Sequence, residues 1–227
     1  MKIFNKIFLG LLLSLGTVQL FAQTQTNTAA DFNYSFAING FSLTQLPKIQ
    51  DRLNYQDYNE AYLNGLAIKF NNNQISYRLK ATYFKKDLTF ANNCTSCEIS
   101  DGRVKDFGLK VGFEKVINYA RVQPYFGFDV GFKANSYKGK IYPAASSISS
   151  ETLDNSKNGI TLSPILGLKV NIIPEISLFA EGTFDFYYSY EKQQRTGGIK
   201  TVNTYKKWEY LAVPITAGLT FNIDKRN

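Results

Sequence analysis

Apolar and polar residues alternate with a period of two along nearly the whole chain. In Val122-Gln-Pro-Tyr-Phe-Gly-Phe-Asp-Val-Gly-Phe-Lys133, the even positions Val122, Pro124, Phe126, Phe128, Val130 and Phe132 are all apolar. The odd positions Gln123, Gly127, Asp129, Gly131 and Lys133 are polar or very small. Successive side chains of a strand point to opposite faces, so such a segment is a strand with two unlike sides. The pattern recurs over Asn33 to Leu43, Tyr62 to Asn71, Gln74 to Phe90, Arg103 to Ile117, Val122 to Tyr142, Gly159 to Ile173, Ile176 to Arg195 and Lys206 to Ile223. Eight strands are therefore predicted. The links at Asn71 to Gln74, Asn118 to Arg121 and Pro174-Glu175 are tight, with Asn and Pro where turns favour them. The links around Thr44 to Ala61, Ala91 to Gly102, Pro143 to Asn158 and Thr196 to Tyr205 are long and polar. Short turns and long loops thus fall at opposite ends of the molecule.

Eight alternating strands fit two closed barrels, a soluble calyx with its apolar face inside or a membrane barrel with that face outside. The polar face carries Lys69, Arg78, Lys80, Lys110, Lys133 and Lys169 with Asp106, Glu114, Asp129, Glu181 and Asp185, interleaved with glycines such as Gly112, Gly131 and Gly167. An eight-stranded barrel is only wide enough for side chains to fill, and buried charges need partners. Nearly balanced charges among glycines suit that lumen, with ion pairs expected between Lys110, Lys133 and Lys169 and Asp106, Asp129 and Glu181. The bulky face, with Phe126, Phe128, Val130, Leu168, Val213 and Phe221, would overfill a narrow calyx and is assigned to lipid. The expected fold is an all-β, eight-stranded antiparallel up-and-down transmembrane barrel.

Aromatic usage agrees: the chain has 15 Tyr and 18 Phe against one Met and one Trp. Tyr83, Phe84, Phe90, Phe107, Tyr137, Tyr142, Tyr188, Tyr190, Trp208 and Tyr210 gather toward the long-loop ends. Phe113, Tyr119, Tyr125, Phe126 and Phe221 lie toward the short turns. Two interfacial girdles are expected. Pro124, Pro164 and Pro214 each remove a ladder donor, which marks bulges or strand ends.

The N-terminus reads as a secretory signal peptide over residues 1–22: Lys2 and Lys6 precede the apolar run Ile7 to Leu15, and Ala22 offers a cleavage site. Its removal takes the formal charge from +8 to about +6. Residues 23–32 read as a short periplasmic segment, 33–223 as the barrel and 224–227 as a tail. No later segment approaches the 18 consecutive apolar residues of a membrane helix, so further membrane contact falls to strands.

From these strands the chain resembles the small outer-membrane β-barrel proteins of Bacteroidota, akin to OmpA/OmpX-type barrels and the PorT-like group. The likeness rests on the Gln123-Pro-Tyr-Phe-Gly-Phe-Asp-Val-Gly-Phe132 strand, on Pro174-Glu175, and on the closing Tyr210-Leu-Ala-Val-Pro-Ile-Thr-Ala-Gly-Leu-Thr-Phe221. That last stretch resembles the family's final strand, which implies recognition by the barrel-assembly machinery. Here Asn222 to Asn227 run past Phe221, whereas many such barrels end on the aromatic. The resemblance implies residence in the bacterial outer membrane and leaves function open. One class is a structural or adhesive surface barrel whose loops meet lipopolysaccharide or partner proteins. The other is a transport or secretion accessory, of which a narrow channel is the weaker form.

The chemistry is sparse. The chain has no histidine, which excludes Ser-His-Asp and Cys-His catalysis and His-based metal sites. Glu181 and Asp185 share a face, but four residues along a strand span about 13 Å, too far for a paired acid and base. No enzyme activity, cofactor or nucleic-acid partner is expected. Cys94 and Cys97 fall in a long loop and suit a small disulfide formed in an oxidising compartment. Lys85, Lys86, Lys138, Lys140, Lys192, Arg195, Lys200, Lys206 and Lys207 cluster near the long-loop ends. They are expected to form a basic rim facing lipopolysaccharide phosphates.

Overall fold

In a computed structural model, the described residues are 33–49, 53–54, 57–91, 98–143, 151–197 and 200–223. The expected signal peptide, the tail and the Cys94–Cys97 pair lie outside them. The strands are β1 (Tyr34–Thr44), β2 (Leu53–Asn54), β3 (Asn59–Asn72), β4 (Ile75–Ala91), β5 (Glu98–Val116), β6 (Val122–Pro143), β7 (Glu151–Ile173), β8 (Ile176–Thr196) and β9 (Thr201–Ile223). Every pairing is antiparallel. The order β3-β1-β9-β8-β7-β6-β5, closed by β4 between β3 and β5, makes a ring of eight long strands, with β2 a two-residue addition beside Ala91 and Phe90. The eight-stranded up-and-down barrel read from the sequence is the observed fold. Some strands are longer than expected: β7 and β9 run 23 residues each, taking up about half of the segments Pro143 to Asn158 and Thr196 to Tyr205 expected to be long loops.

The exterior shows why so long a wall is stable. On β5 the outward residues Phe107, Leu109, Val111 and Phe113 are exposed, and they end at exposed Lys105 above and Lys115 below. An apolar run of that span matches the 9–11 residues a tilted strand uses to cross a bilayer. On β6 the run is Phe126, Phe128, Val130 and Phe132, and on β7 it includes Leu166, at 72 % exposed, and Leu168. The upper limit follows one ladder line around the wall, Lys85–Lys105–Ser136–Ser156–Lys192. Beyond it the strands continue as a raised sheet.

Irregularities set which side chains point in. Against Gly182 of β8, β9 carries the extra residue of Pro214-Ile215, since Glu181 opposes Thr216 but Thr183 opposes Val213. An extra residue reverses the inside–outside alternation beyond it. Val213, expected to face lipid, therefore lines the lumen beside Thr183 and Thr216, and Leu211 is buried there as well. Phe126, Phe128, Val130 and Leu168 are exposed on the outer face, while Phe221 is half-buried. A second bulge, on β3, opposes Leu63-Asn64 to Gly40 of β1, with Leu63 at φ 46°. Above it, among the described residues, Asn59–Asn64 and Tyr83–Thr89 do not pair with each other, the β3–β4 ladder ending at Gly65–Thr82.

Candidate functional site

The lumen is filled in layers. Arg78 is central: its Nε and Nη2 donate to Asp129 at 2.9 and 2.7 Å, and its Nη1 reaches Glu181 at 2.8 Å and Glu114 at 3.3 Å. Lys80 Nζ donates to Glu181 at 2.6 Å and Tyr125 Oη to the same carboxylate at 3.0 Å. Lys69 Nζ donates to both oxygens of Glu114 at 2.7 and 2.8 Å. Higher up, Lys110 pairs with Asp185 at 2.6 Å and donates to Ser163 at 2.9 Å, while Lys133 pairs with Asp106 at 3.0 Å. Above these, fully buried Lys157 lies 2.9 Å from Glu209 and 3.3 Å from Glu191, and donates to the Lys48 carbonyl at 2.9 Å.

Of the ion pairs expected from sequence, Lys133 with Asp106 is present. Asp129 and Glu181 belong instead to Arg78 and Lys80, Lys110 turns to Asp185, and Lys169 makes no ion pair among the described residues. Arg78 outcompetes lysine because its planar fork serves several carboxylates at once. Inward glycines make room for these long side chains. A Cβ on Gly167 would sit 2.3 Å from the Tyr125 ring, and one on Gly112 would meet the Asp129 carboxylate at 2.3 Å.

Above the charged layers the interior becomes largely apolar, with Ser100, Asn155 and Gln193 buried beside it in hydrogen bonds to Tyr137 and Glu191. Phe84, Leu88, Phe90, Val104, Tyr137, Ile141 and Leu153 from the wall pack with Leu46 and Ile49 of the segment that follows β1. That segment is pinned by Gln45, whose backbone N–H donates to the Ala212 carbonyl and whose side chain accepts from the Ala212 N–H, each at 3.0 Å. Phe84, Phe90 and Tyr137 are thus not girdle residues: Phe90 is 1 % exposed, Tyr137 0 %, and the two rings meet edge-on at 5.2 Å. Tyr125, expected in the lower girdle, also points into the lumen. The upper girdle is carried by Tyr83, Phe107, Tyr188, Tyr190, Trp208 and Tyr210, all exposed, with Tyr188 and Trp208 in ring contact at 4.9 Å. Between the charged layers and the apolar cap lies a cavity of ≈ 60 Å³, lined by Asn39, Ser42, Lys80, Thr82, Lys133 and Thr216 among others. It has room for about four waters.

The expected basic rim is mixed in sign and spread in height. Lys85, Lys140, Lys192, Lys200 and Lys206 are exposed, and Lys86 and Lys207 are half-buried, Lys207 lying 5.2 Å from the Tyr205 ring centre. Lys138 pairs with Asp154 at 3.1 Å, and Arg195 is held by Glu98 and Glu151. Arg103 donates to Asp87 at 2.7 and 3.0 Å on the raised sheet. That hydrogen bond keeps the exposed Asp87 carboxyl below its ordinary range. Lys138 and Lys140 line an open groove of ≈ 400 Å³ with Thr152, Asp154, Gln194 and Thr196.

No protein-family model matches the chain, and no curated protein sequence matches it. Solved structures do. The outer membrane protein OprG from Pseudomonas aeruginosa aligns with a TM-score of 0.53 at 13% identity, over 87% of this chain and 100% of that one. A major outer membrane protein from Thermus thermophilus aligns at 0.52 and 11% identity, over 84% and 99%. At such identities the likeness is one of fold: this chain is built as an eight-stranded outer-membrane barrel. Both neighbours are outer membrane proteins, in agreement with the outer-membrane location expected from the sequence.

Proposed function

We propose that the protein is a non-enzymatic, non-conducting outer-membrane barrel that holds a rigid β-platform above the membrane and binds lipopolysaccharide or a surface partner there. One observation carries the reading: the wall continues well past its apolar band, and the interior beneath the platform is closed twice, by ion pairs and by the apolar cap. A solute pathway would need an open lumen, whereas a filled one suits a mechanical support. The open groove with Lys138 and Lys140, and Lys206 above Trp208 and Tyr210, are the surfaces suited to phosphate contacts at the headgroup boundary. The grouping with small Bacteroidota barrels of the OmpA/OmpX or PorT-like kind belongs to the same reading, supported by the motifs of the fifth and last sequence-predicted strands.

The test replaces Lys138, Lys140, Lys206 and Lys207 together with Gln. Lipopolysaccharide retained on purification should fall and lose its salt dependence, and unchanged retention at low salt would refute the lipid contact. Planar bilayers containing the native protein should show no steady unitary conductance. Such a conductance, or copurification with secretion components, would turn the reading toward transport or secretion.

A further inference from the structure

Along most of the lumen each cation has a carboxylate of its own. At the short-turn end this matching fails. Glu114 serves Lys69 through both oxygens and Arg78 through a third bond. Lys169, whose charged neighbours are Glu114 and Lys69, has no ion-pair partner among the described residues. Directly across the β6–β7 ladder from Lys169 stands Gln123, on the same inward face. Gln123 is completely buried, and neither its amide nitrogen nor its amide oxygen has a hydrogen-bond partner among the described residues. Opposed residues on paired strands carry their Cβ atoms about 4.5–5.5 Å apart, so the excess ammonium and the orphaned amide address one small volume. Phe179, opposite Lys169 on β8, and Tyr125 wall it, with Lys69 Nζ 5.8 Å from each ring centre.

Buried amides without partners are uncommon, and half-buried Lys169 has no carboxylate of its own, its neighbour Glu114 already serving Lys69 and Arg78. A water could satisfy the amide but not the charge. A halide could satisfy the charge and the N–H, yet would leave the amide oxygen bare. A protonated oxyanion does all three: its charge faces Lys169, one oxygen accepts from Gln123 Nε2, and its O–H donates to Gln123 Oε1.

We propose that Lys169 and Gln123, backed by Lys69, form a site for one hydrogen phosphate group at the short-turn mouth of the barrel, reached past the half-buried Lys169. The site is independent of the surface platform, and no residue of the platform takes part in it.

The test uses the full-length mature protein refolded in detergent micelles, with inorganic phosphate as the probe and chloride at equal ionic strength as the comparison. Phosphate should raise the unfolding midpoint saturably, as a ligand bound only to the folded state does, with chloride giving a clearly smaller shift. Lys169→Met should abolish the phosphate increment. Gln123→Glu, which sets a carboxylate across from Lys169, should raise the midpoint in phosphate-free buffer and also abolish the increment, so the outcome does not hang on one variant folding. Equal responses to phosphate and chloride, an unsaturable rise tracking ionic strength, or a Gln123→Glu protein that still responds to phosphate would each overturn the proposal.

Discussion

The membrane-embedded and raised halves of the wall are made by the same strands with the same alternation, yet their faces carry opposite chemistry. On β5, inward Asp106, Lys110 and Glu114 give way above to inward Val104, while outward Phe107, Leu109 and Val111 give way to outward Lys105 and Arg103. On β6, inward Asp129 and Lys133 are followed by inward Tyr137 and Ile141, and outward Phe128, Val130 and Phe132 by outward Lys138 and Lys140. On β4, inward Arg78 and Lys80 are followed by Phe84, Leu88 and Phe90. The backbone does not change; the solvent does. Where lipid lies outside, apolar side chains go out and the narrow interior takes paired charges. Where water lies outside, these three strands revert to the ordinary rule of apolar residues inside, while β7 and β8 keep buried Asn155 and Gln193 there, both donating to Glu191.

That contrast is most severely tested at Arg78. Arg78→Met leaves three buried carboxylates short of a partner and should lower stability by about 3–5 kcal/mol in equilibrium unfolding from lipid vesicles. Arg78→Met with Asp129→Leu should cost less than Arg78→Met alone, because Glu181 keeps Lys80 and Glu114 keeps Lys69. Strictly additive losses would mean that these groups face water.

The raised half should answer instead to the rules of a soluble core. Leu153→Ala removes a buried side chain from the cap and should cost about 2–5 kcal/mol locally. Limited proteolysis should then cut the raised sheet while the embedded half stays resistant. Loss of resistance throughout would show the two halves to be one cooperative unit.

The outer face offers a matched pair on a single strand. Val130→Arg should cost about 2–4 kcal/mol at the bilayer midplane. Lys138→Val, eight residues along on the same strand but beyond the apolar band, removes only an exposed pair with Asp154 and should shift stability by less than about 1 kcal/mol. Equal penalties in vesicle unfolding would mean the band is wrongly placed.

The smallest effect belongs to Asp87. Its carboxyl is held below its ordinary range by Arg103, so the pair stabilises the folded state above the usual carboxylate range and loses that contribution as pH falls through the lowered value. Asp87→Asn should flatten a slight acid-side decline in the melting temperature of the raised sheet. A decline unchanged in the variant would assign it to other carboxylates.

The period-two pattern by itself determined the eight strands, the closed barrel and the outward assignment of Phe126, Phe128, Val130 and Leu168, because alternation is a local property of extended backbone and a narrow barrel cannot hold so much bulk inside. It also marked the inward charges, since Lys and Asp at every second position of a membrane strand have nowhere else to go. Only the tertiary structure decided their partners: Arg78 takes Asp129 and Glu181 from strands 51 and 103 residues away, distances that no spacing rule spans. Phe84 and Phe90 share the parity of Arg78 and Lys80, and Tyr137 that of Asp129 and Lys133, so the alternation itself turns them inward; only the tertiary structure decided the height at which lipid yields to water, which makes them part of a buried cap and not of a girdle. Val213 was likewise beyond the pattern. A single extra residue at Pro214-Ile215 reverses every face beyond it, and a bulge is a property of two strands in register, which one strand read alone does not contain.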